Sequence, residues 1–127
     1  MDAFETDTEL GLVIEYISGQ DLYEYAVNSK KVNELEVCLI FKDLIAGVLW
    51  LHQHQICHRD LKIENILLDK LMTAKLIDFG LATRYTPGVK LTERCGSAEY
   101  CAPEIILAKA YDPEKTDVWA LGVILVG

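Results

Sequence analysis

Basic residues are scarce in this 127-residue chain. Twelve Lys and Arg face 20 Asp and Glu, for a net charge of −8. A general nucleic-acid binder needs a basic face to neutralise phosphates, so that class is excluded. An acidic face suits a basic peptide instead. The cysteines Cys38, Cys57, Cys95 and Cys101 form no C-x-x-C pair, and none stands near a histidine at zinc-finger spacing. They read as four reduced thiols. The first residues, Met1-Asp2-Ala3-Phe4-Glu5, are acidic and open no apolar secretory core. The longest uncharged run, Leu44 to His58, is broken by Gln and His and falls short of the ~20 apolar residues of a membrane span. An intracellular protein, cytoplasmic or nuclear, is therefore expected, with no membrane and no nucleic-acid partner. No repeat, low-complexity tract or Pro/Gly/Ser linker marks a domain boundary. What is abundant is apolar: 51% of residues are hydrophobic and 25% charged, enough to bury a core and to exclude wholesale disorder.

Leu10 to Ile17 is apolar and partly β-branched, the pattern of a buried strand, and Ser18-Gly19-Gln20 breaks it. Asp21 is placed to cap a short helix carrying Leu22, Tyr25 and Ala26. Asn33 and Glu36 have the spacing of a capping box. Behind them Val37, Ile40, Phe41, Leu44, Val48 and Leu51 recur at three- and four-residue steps, which predicts a long amphipathic helix. Ile66-Leu67-Leu68 and Ala74-Lys75-Leu76-Ile77 read as a small hairpin turning at Asp69-Lys70. Residues 81–101 are loop-like, and Pro103 opens a short helix through Ala108. Asp117 to Val126 is almost wholly apolar and predicts a helix buried on all sides. The chain stops inside that helix, so a fragment of a larger fold is expected, with apolar faces left open on this helix and on the long one.

The stretch that carries chemistry is His58-Arg59-Asp60-Leu61-Lys62-Ile63-Glu64-Asn65. Thirteen residues after Asn65 comes Asp78-Phe79-Gly80, and further on Ala102-Pro103-Glu104. Taken singly, Asp60, Asn65 and Asp78 could each be a turn or capping residue. Together and in this order, after a long helix and a hairpin, they match the H-R-D-L-x-x-x-N, D-F-G and A-P-E segments of protein kinases. The chain resembles the eukaryotic protein kinase family over nearly all its length. The resemblance implies an α+β, protein-kinase-like fold: the last strand and hinge of the small lobe over residues 1–17, and the helical first half of the large lobe over 18–127.

Phosphoryl transfer is mostly positioning and charge neutralisation, which explains the residue types. By resemblance, Asp60 orients the attacking hydroxyl and accepts its proton, and Lys62 neutralises the transferring phosphoryl group. Asn65 and Asp78 are hard-oxygen ligands suited to Mg²⁺ beside ATP. Lysine at 62 resembles the serine/threonine kinases, and Ser97 looks like the hydroxyl residue that supports Asp60 and Lys62. His58 is expected in the core beneath Phe79 of the Asp78-Phe79-Gly80 segment, and Arg59 as a structural or regulatory anchor. Ile14 resembles the gatekeeper. The Glu15 carbonyl and Ile17 amide would contact adenine, and Leu67 and Ile77 would line the nucleotide pocket. Leu22 is either pocket lining or core. Asp21 would meet the ribose or a basic substrate residue and Glu64 a basic substrate residue, or each is simply a solvated charge. Asp117 would accept hydrogen bonds from the loop backbone near His58 and Arg59, and Glu104 would find its arginine only in a later helix.

The stretch Leu91 to Tyr100 is closest in flavour to the calcium/calmodulin-dependent and AMP-activated kinase group. Glu93 stands where that family's activating phosphothreonine lies, two residues before Cys95-Gly96-Ser97, and would pair with Arg59 and Arg84. Neighbouring Thr92 is the alternative phosphosite. No G-x-G-x-x-G loop, V-A-I-K strand or partner glutamate is present in the sequence. The leading expectation is a serine/threonine kinase catalytic fragment acting on a protein or peptide Ser or Thr with ATP and Mg²⁺. The alternative is a non-catalytic kinase-like binding module. A small-molecule kinase is disfavoured by Ala102-Pro103-Glu104.

Overall fold

The computed structural model describes residues 2–29 and 33–126. Strands β1 (Asp2–Glu5) and β2 (Leu10–Val13) form an antiparallel hairpin in which Phe4 pairs with Gly11. The expected strand is thus shorter than Leu10 to Ile17, and it has a partner that the short stretch at 2–5 did not announce. It is also exposed, not buried, because the two strands make a sheet of their own and no described element covers either face.

A second sheet gathers β3 (Gln20–Asp21), β5 (Ile66–Leu68) and β6 (Ala74–Leu76) in the order β3-β5-β6, all antiparallel. The β5–β6 hairpin is the one expected. Strand β3 lies where the sequence suggests only a break, since a two-residue strand has no periodicity to read. Gly19 is needed just before it: a Cβ there would lie 1.7 Å from the Leu68 carbonyl oxygen. Helix α1 (Leu22–Asn28) follows, and the Asp21 side chain caps it by accepting from Glu24 N at 2.7 Å.

Helix α2 (Glu34–Gln53) begins at Asn33, whose side chain accepts from Leu35 N. The capping box is not completed. The Glu36 carboxylate turns instead to Tyr25, accepting from its hydroxyl at 2.6 Å and so tying α2 to α1. Ile40, Leu44, Val48 and Leu51 are buried along the expected stripe, with Val37 and Phe41 at its margin. Strand β4 (Ile56–Cys57) leaves α2 through Gln55, which has a left-handed backbone, and pairs with β7 (Thr83–Arg84). Helix α3 (Pro103–Ile106) opens on its proline and ends short of Ala108.

Helix α4 (Pro113–Val126) starts four residues before Asp117, with Pro113 in its first turn. Its inner face buries Thr116, Asp117, Ala120 and Leu121, while Val118, Trp119, Leu125 and Val126 are exposed. The expectation of a helix buried all round is therefore corrected: among the described residues nothing packs on its outer side. The core is one cluster, in which Leu44 and Val48 of α2, Leu61, Ile66 and Leu68 of the hairpin region, and Ala120 and Leu121 of α4 meet. Leu61 is part of this cluster, so the loop between β4 and β5 is seated on the core by an apolar side chain.

Candidate active site

Residues 58–65 connect β4 to the β5–β6 hairpin, and the loop is fixed from below by α4. The Asp117 carboxylate is 1% exposed. Its Oδ2 accepts from His58 N at 3.0 Å and its Oδ1 from Arg59 N at 2.9 Å. A buried carboxylate is costly without such donors, and the two amides offset the cost. Arg59 sits at φ 68°, a left-handed backbone that strains a non-glycine residue, and the grip on its own amide holds it there.

His58 is fully buried against Phe79, with ring centroids 5.0 Å apart. Its Nε2 faces the Ile77 carbonyl at 3.1 Å and its Nδ1 accepts from Asp60 N at 3.3 Å. Both contacts are satisfied with the proton on Nε2. His58 is thus core packing that links the loop to the residues ahead of Asp78, as expected.

At Asp60 the carboxylate collects donors from two segments. Oδ1 accepts from Ser97 N and from Ser97 Oγ, both at 2.9 Å. Oδ2 lies 3.3 Å from Lys62 Nζ and 3.2 Å from Asn65 Nδ2. Lys62 Nζ also donates to Ser97 Oγ at 3.1 Å. Burial alone would push the Asp60 carboxyl up, but the bonds from Ser97 and Lys62 outweigh it and hold the group below the ordinary aspartate value. Asp60 is therefore an anion at neutral pH and a weak base, suited to orient a hydroxyl and to take its proton only as that hydroxyl turns acidic.

Ser97 reaches Asp60 because of its predecessor. Gly96 has φ 93°, and a Cβ there would stand 2.5 Å from the Arg59 carbonyl oxygen. Only glycine lets the two backbones approach so closely.

Asn65 is buried, and its Nδ2 donates to the Asp60 carbonyl at 2.9 Å, which leaves Oδ1 as its free ligand atom. Ile77 N donates to the Asn65 carbonyl at 3.0 Å, so the segment leading to Asp78 runs beside Asn65. Asp78 is exposed with φ 59°, and its Oδ1 accepts from Gly80 N at 3.1 Å. An amide oxygen and a carboxylate fit Mg²⁺, which commonly takes one or two protein oxygens and completes its shell with substrate phosphates and water. Among the described residues no group of three or more His, Cys, Asp or Glu could hold a metal by itself.

The residues expected at the adenine end stand apart from this network. Ile14, Glu15 and Ile17 lie beyond the end of β2, and Ile14 is 72% exposed. Lys75 Nζ donates to the Glu15 carboxylate at 3.3 Å. Leu67 and Ile77 are half-buried, and Leu22 packs against the core cluster. Asp21 is engaged as the α1 cap, and Glu64 is exposed.

On the far side of the loop, Arg59 Nη1 meets Glu93 Oε2 at 2.6 Å, and Arg59 Nε donates to the Leu81 carbonyl at 2.6 Å. The Arg59 side chain is 8% exposed and that of Glu93 71%. The Tyr111 hydroxyl donates to the Glu93 carbonyl at 2.8 Å, and Leu91 forms a two-way backbone bridge with Tyr111. Arg84 does not join Glu93 in an ion pair, and Thr92 is exposed beside it. Glu104 has no ion-pair partner among the described residues.

Two participants escaped the sequence reading. Tyr111 carries no spacing signal. His52 does carry one: it follows Leu44 and Val48 at the next four-residue step, on the buried stripe. Its Nε2 is 2.8 Å from Asp117 Oδ2.

A family model described as protein kinase domain matches residues 1–127, and the chain belongs to that family. It is kinase catalytic-domain sequence, and the family acts on protein substrates and generally uses ATP and Mg²⁺. No helix of the described residues is long and apolar enough to cross a membrane.

Proposed function

We propose that the chain is the catalytic portion of a serine/threonine protein kinase domain, with residues 1–17 as the end of the small lobe and the hinge and 18–127 as the large lobe. The observation that carries this reading is the convergence of Ser97, Lys62 and Asn65 on the Asp60 carboxylate. In this reading Asp60 positions the substrate hydroxyl, and Lys62 lies against the phosphoryl group as it transfers. Asn65 Oδ1 and Asp78 would hold Mg²⁺, which supplies charge neutralisation on the ATP phosphates. Lysine at 62, bonded to Ser97 Oγ, supports a Ser or Thr acceptor. The net charge of −8 and the exposed Glu64 favour basic residues around that acceptor. Ile14, Glu15 and Ile17 would meet adenine, and Asp21, Leu67 and Ile77 the rest of the nucleoside. In the segment between Asp78-Phe79-Gly80 and Ala102-Pro103-Glu104, the Glu93 carboxylate does by its own charge what a phosphate would do on Arg59, though with fewer acceptor oxygens.

The test has two readouts. In an NMR titration with Mn²⁺ and ADP, broadening should concentrate at Asn65 and Asp78 to Gly80 and disappear in Asp78→Asn. With radiolabelled Mg·ATP and basic peptides bearing Ser, Thr or Tyr, label should reach Ser and Thr only. Lacking a glycine-rich loop, the chain should label far below the ~1–100 per second of ordinary kinases, and Asp60→Asn should abolish the label. Label on Tyr, label indifferent to Asp60→Asn, or broadening spread evenly over the acidic surface would overturn the reading.

A further inference from the structure

Cys95 and Cys101 flank Ser97, whose two bonds hold the Asp60 carboxylate. We propose that Cys95 and Cys101 form a reversible disulfide that releases Ser97 from Asp60. The pairing stands on local geometry, while its effect on phosphoryl transfer rests on the role given to Asp60 above.

Cys101 Sγ donates to the Cys95 carbonyl at 3.5 Å, and a Cβ on Gly96 would stand 3.4 Å from the same sulfur. The Cys101 thiol therefore lies against the 95–96 peptide. The chain between them is a turn, in which Tyr100 N donates to the Ser97 carbonyl at 3.0 Å and Cys101 N to the Ala98 carbonyl at 3.3 Å. Both cysteines are half-buried thiols, and both line one surface pocket of about 380 Å³ with Arg94, Ala98 and Ile105, so a small oxidant reaches either. The other two cysteines are placed differently. Cys38 is exposed on α2, and Cys57 is fully buried in β4, with its thiol on the Thr83 carbonyl.

The oxidant is hydrogen peroxide. Burial pushes the Cys101 thiol up, so it enters as the second partner. The Cys95 sulfur takes one oxygen from the peroxide and becomes a sulfenic acid as the O–O bond breaks and water leaves. The Cys101 sulfur then attacks the Cys95 sulfur. The S–O bond breaks, and its hydroxide leaves as a second water with the Cys101 proton. The two thiols lose two electrons and the peroxide gains them. In the reduced chain the Cys95 side chain faces the Arg59 guanidinium and the Tyr111 hydroxyl. Bridging draws it to Cys101, and the 95–96 peptide turns with it. Gly96 has no slack to absorb that turn, since it is left-handed and pressed on the Arg59 carbonyl. Ser97 N and Oγ follow, and the Asp60 carboxylate keeps only Lys62 and Asn65.

The test needs no phosphoryl transfer, so it can fail independently of the kinase reading. The full chain is treated with hydrogen peroxide, alkylated and digested with trypsin. Cleavage after Arg94 and Lys109 leaves both cysteines in one peptide with no other cysteine. That peptide should be unalkylated and lighter by two hydrogens, and dithiothreitol should restore alkylation at both sites. In the oxidised chain the Ser97 amide should exchange about tenfold faster or more, while Leu44 and Val48 in the core stay unchanged. Cys101→Ala should show neither the bridge nor the faster exchange under peroxide. A sulfinic acid or a disulfide between chains in place of the bridge overturns the proposal. So does a bridge that leaves Ser97 exchange unchanged, or a Cys101→Ala chain whose Ser97 loosens under peroxide as the wild type does. Should Cys101→Ala fail to fold, the wild type before and after dithiothreitol decides: Ser97 protection must return with the thiols, and protection that stays lost contradicts the proposal.

Discussion

The loop at 58–65 and the hairpin at 2–13 are built on opposite plans. In the loop, almost every polar group is answered from far along the chain: Asp117 for the His58 and Arg59 amides, Ser97 for Asp60, Ile77 for His58 and Asn65. In the hairpin, the partners are internal, and Phe4, Leu10, Leu12 and Val13 stand exposed. Two strands alone are marginal in water, whereas a loop whose only regular piece is the 3₁₀ turn Ile63–Asn65 becomes rigid when buried charges and amides satisfy one another. Order in this chain follows long-range polar partnership more than secondary structure.

The comparison breaks first at Asp117. Asp117→Ala removes the acceptor of three donors and should destabilise the chain by ~3–5 kcal/mol in chemical denaturation, enough to threaten folding altogether. A loss near that of an exposed residue would mean that the loop does not depend on α4. Next is Gly96→Ala, which combines a left-handed backbone with a contact on the Arg59 carbonyl. A cost of ~1–3 kcal/mol is expected, read as a lowered melting temperature together with loss of the Ser97 amide's protection. Glu93→Gln should be smaller. Its carboxylate is well exposed, so the pair with Arg59 stabilises by under ~1 kcal/mol, seen chiefly as faster proteolytic nicking between 81 and 97. Thr92→Ala should leave the nicking rate unchanged. If Thr92→Ala alone loosened the segment, the anchoring role of Glu93 would be wrong. The smallest effect belongs to Phe4→Ala, about 0.5 kcal/mol or less, because the ring lies over Gly11 at the hairpin surface and is more than half exposed. A large cost there would show that the hairpin is tied to the core after all.

These regions also differ in how far the sequence announced them. Helix α2 and the β5–β6 hairpin were legible because burial imposes a period on their side chains. The loop chemistry was legible because three motifs fall in order around it. Asp117 and Ser97 were placed by resemblance, not by any local pattern. Strand β1 was not legible, since Asp2 to Glu5 mixes one charged and one apolar residue on each face and all four are exposed, so no alternation marks it. The turn of Glu36 toward Tyr25, and of His52 toward Asp117, could not be read either. Each depends on which helix end lies beside which, and that is decided only when the core has packed.

The most direct measurement is the titration of the Asp60 carboxyl by ¹³C NMR, in the wild type and in Ser97→Ala. Bonds from Ser97 and Lys62 prevail over burial, so the wild-type carboxyl should titrate below the ordinary aspartate value of 3.8. A carboxyl depressed in the folded state contributes stability above its unfolded pKa and loses it as pH falls through the folded one. In the wild type, stability should therefore drop as pH falls through that acid range. Ser97→Ala should move the titration upward, flatten the acid limb of stability, and cost ~1 kcal/mol at neutral pH. An Asp60 that titrates at or above 3.8 in the wild type, or that is indifferent to Ser97→Ala, would contradict the claim that distant polar partners hold this site.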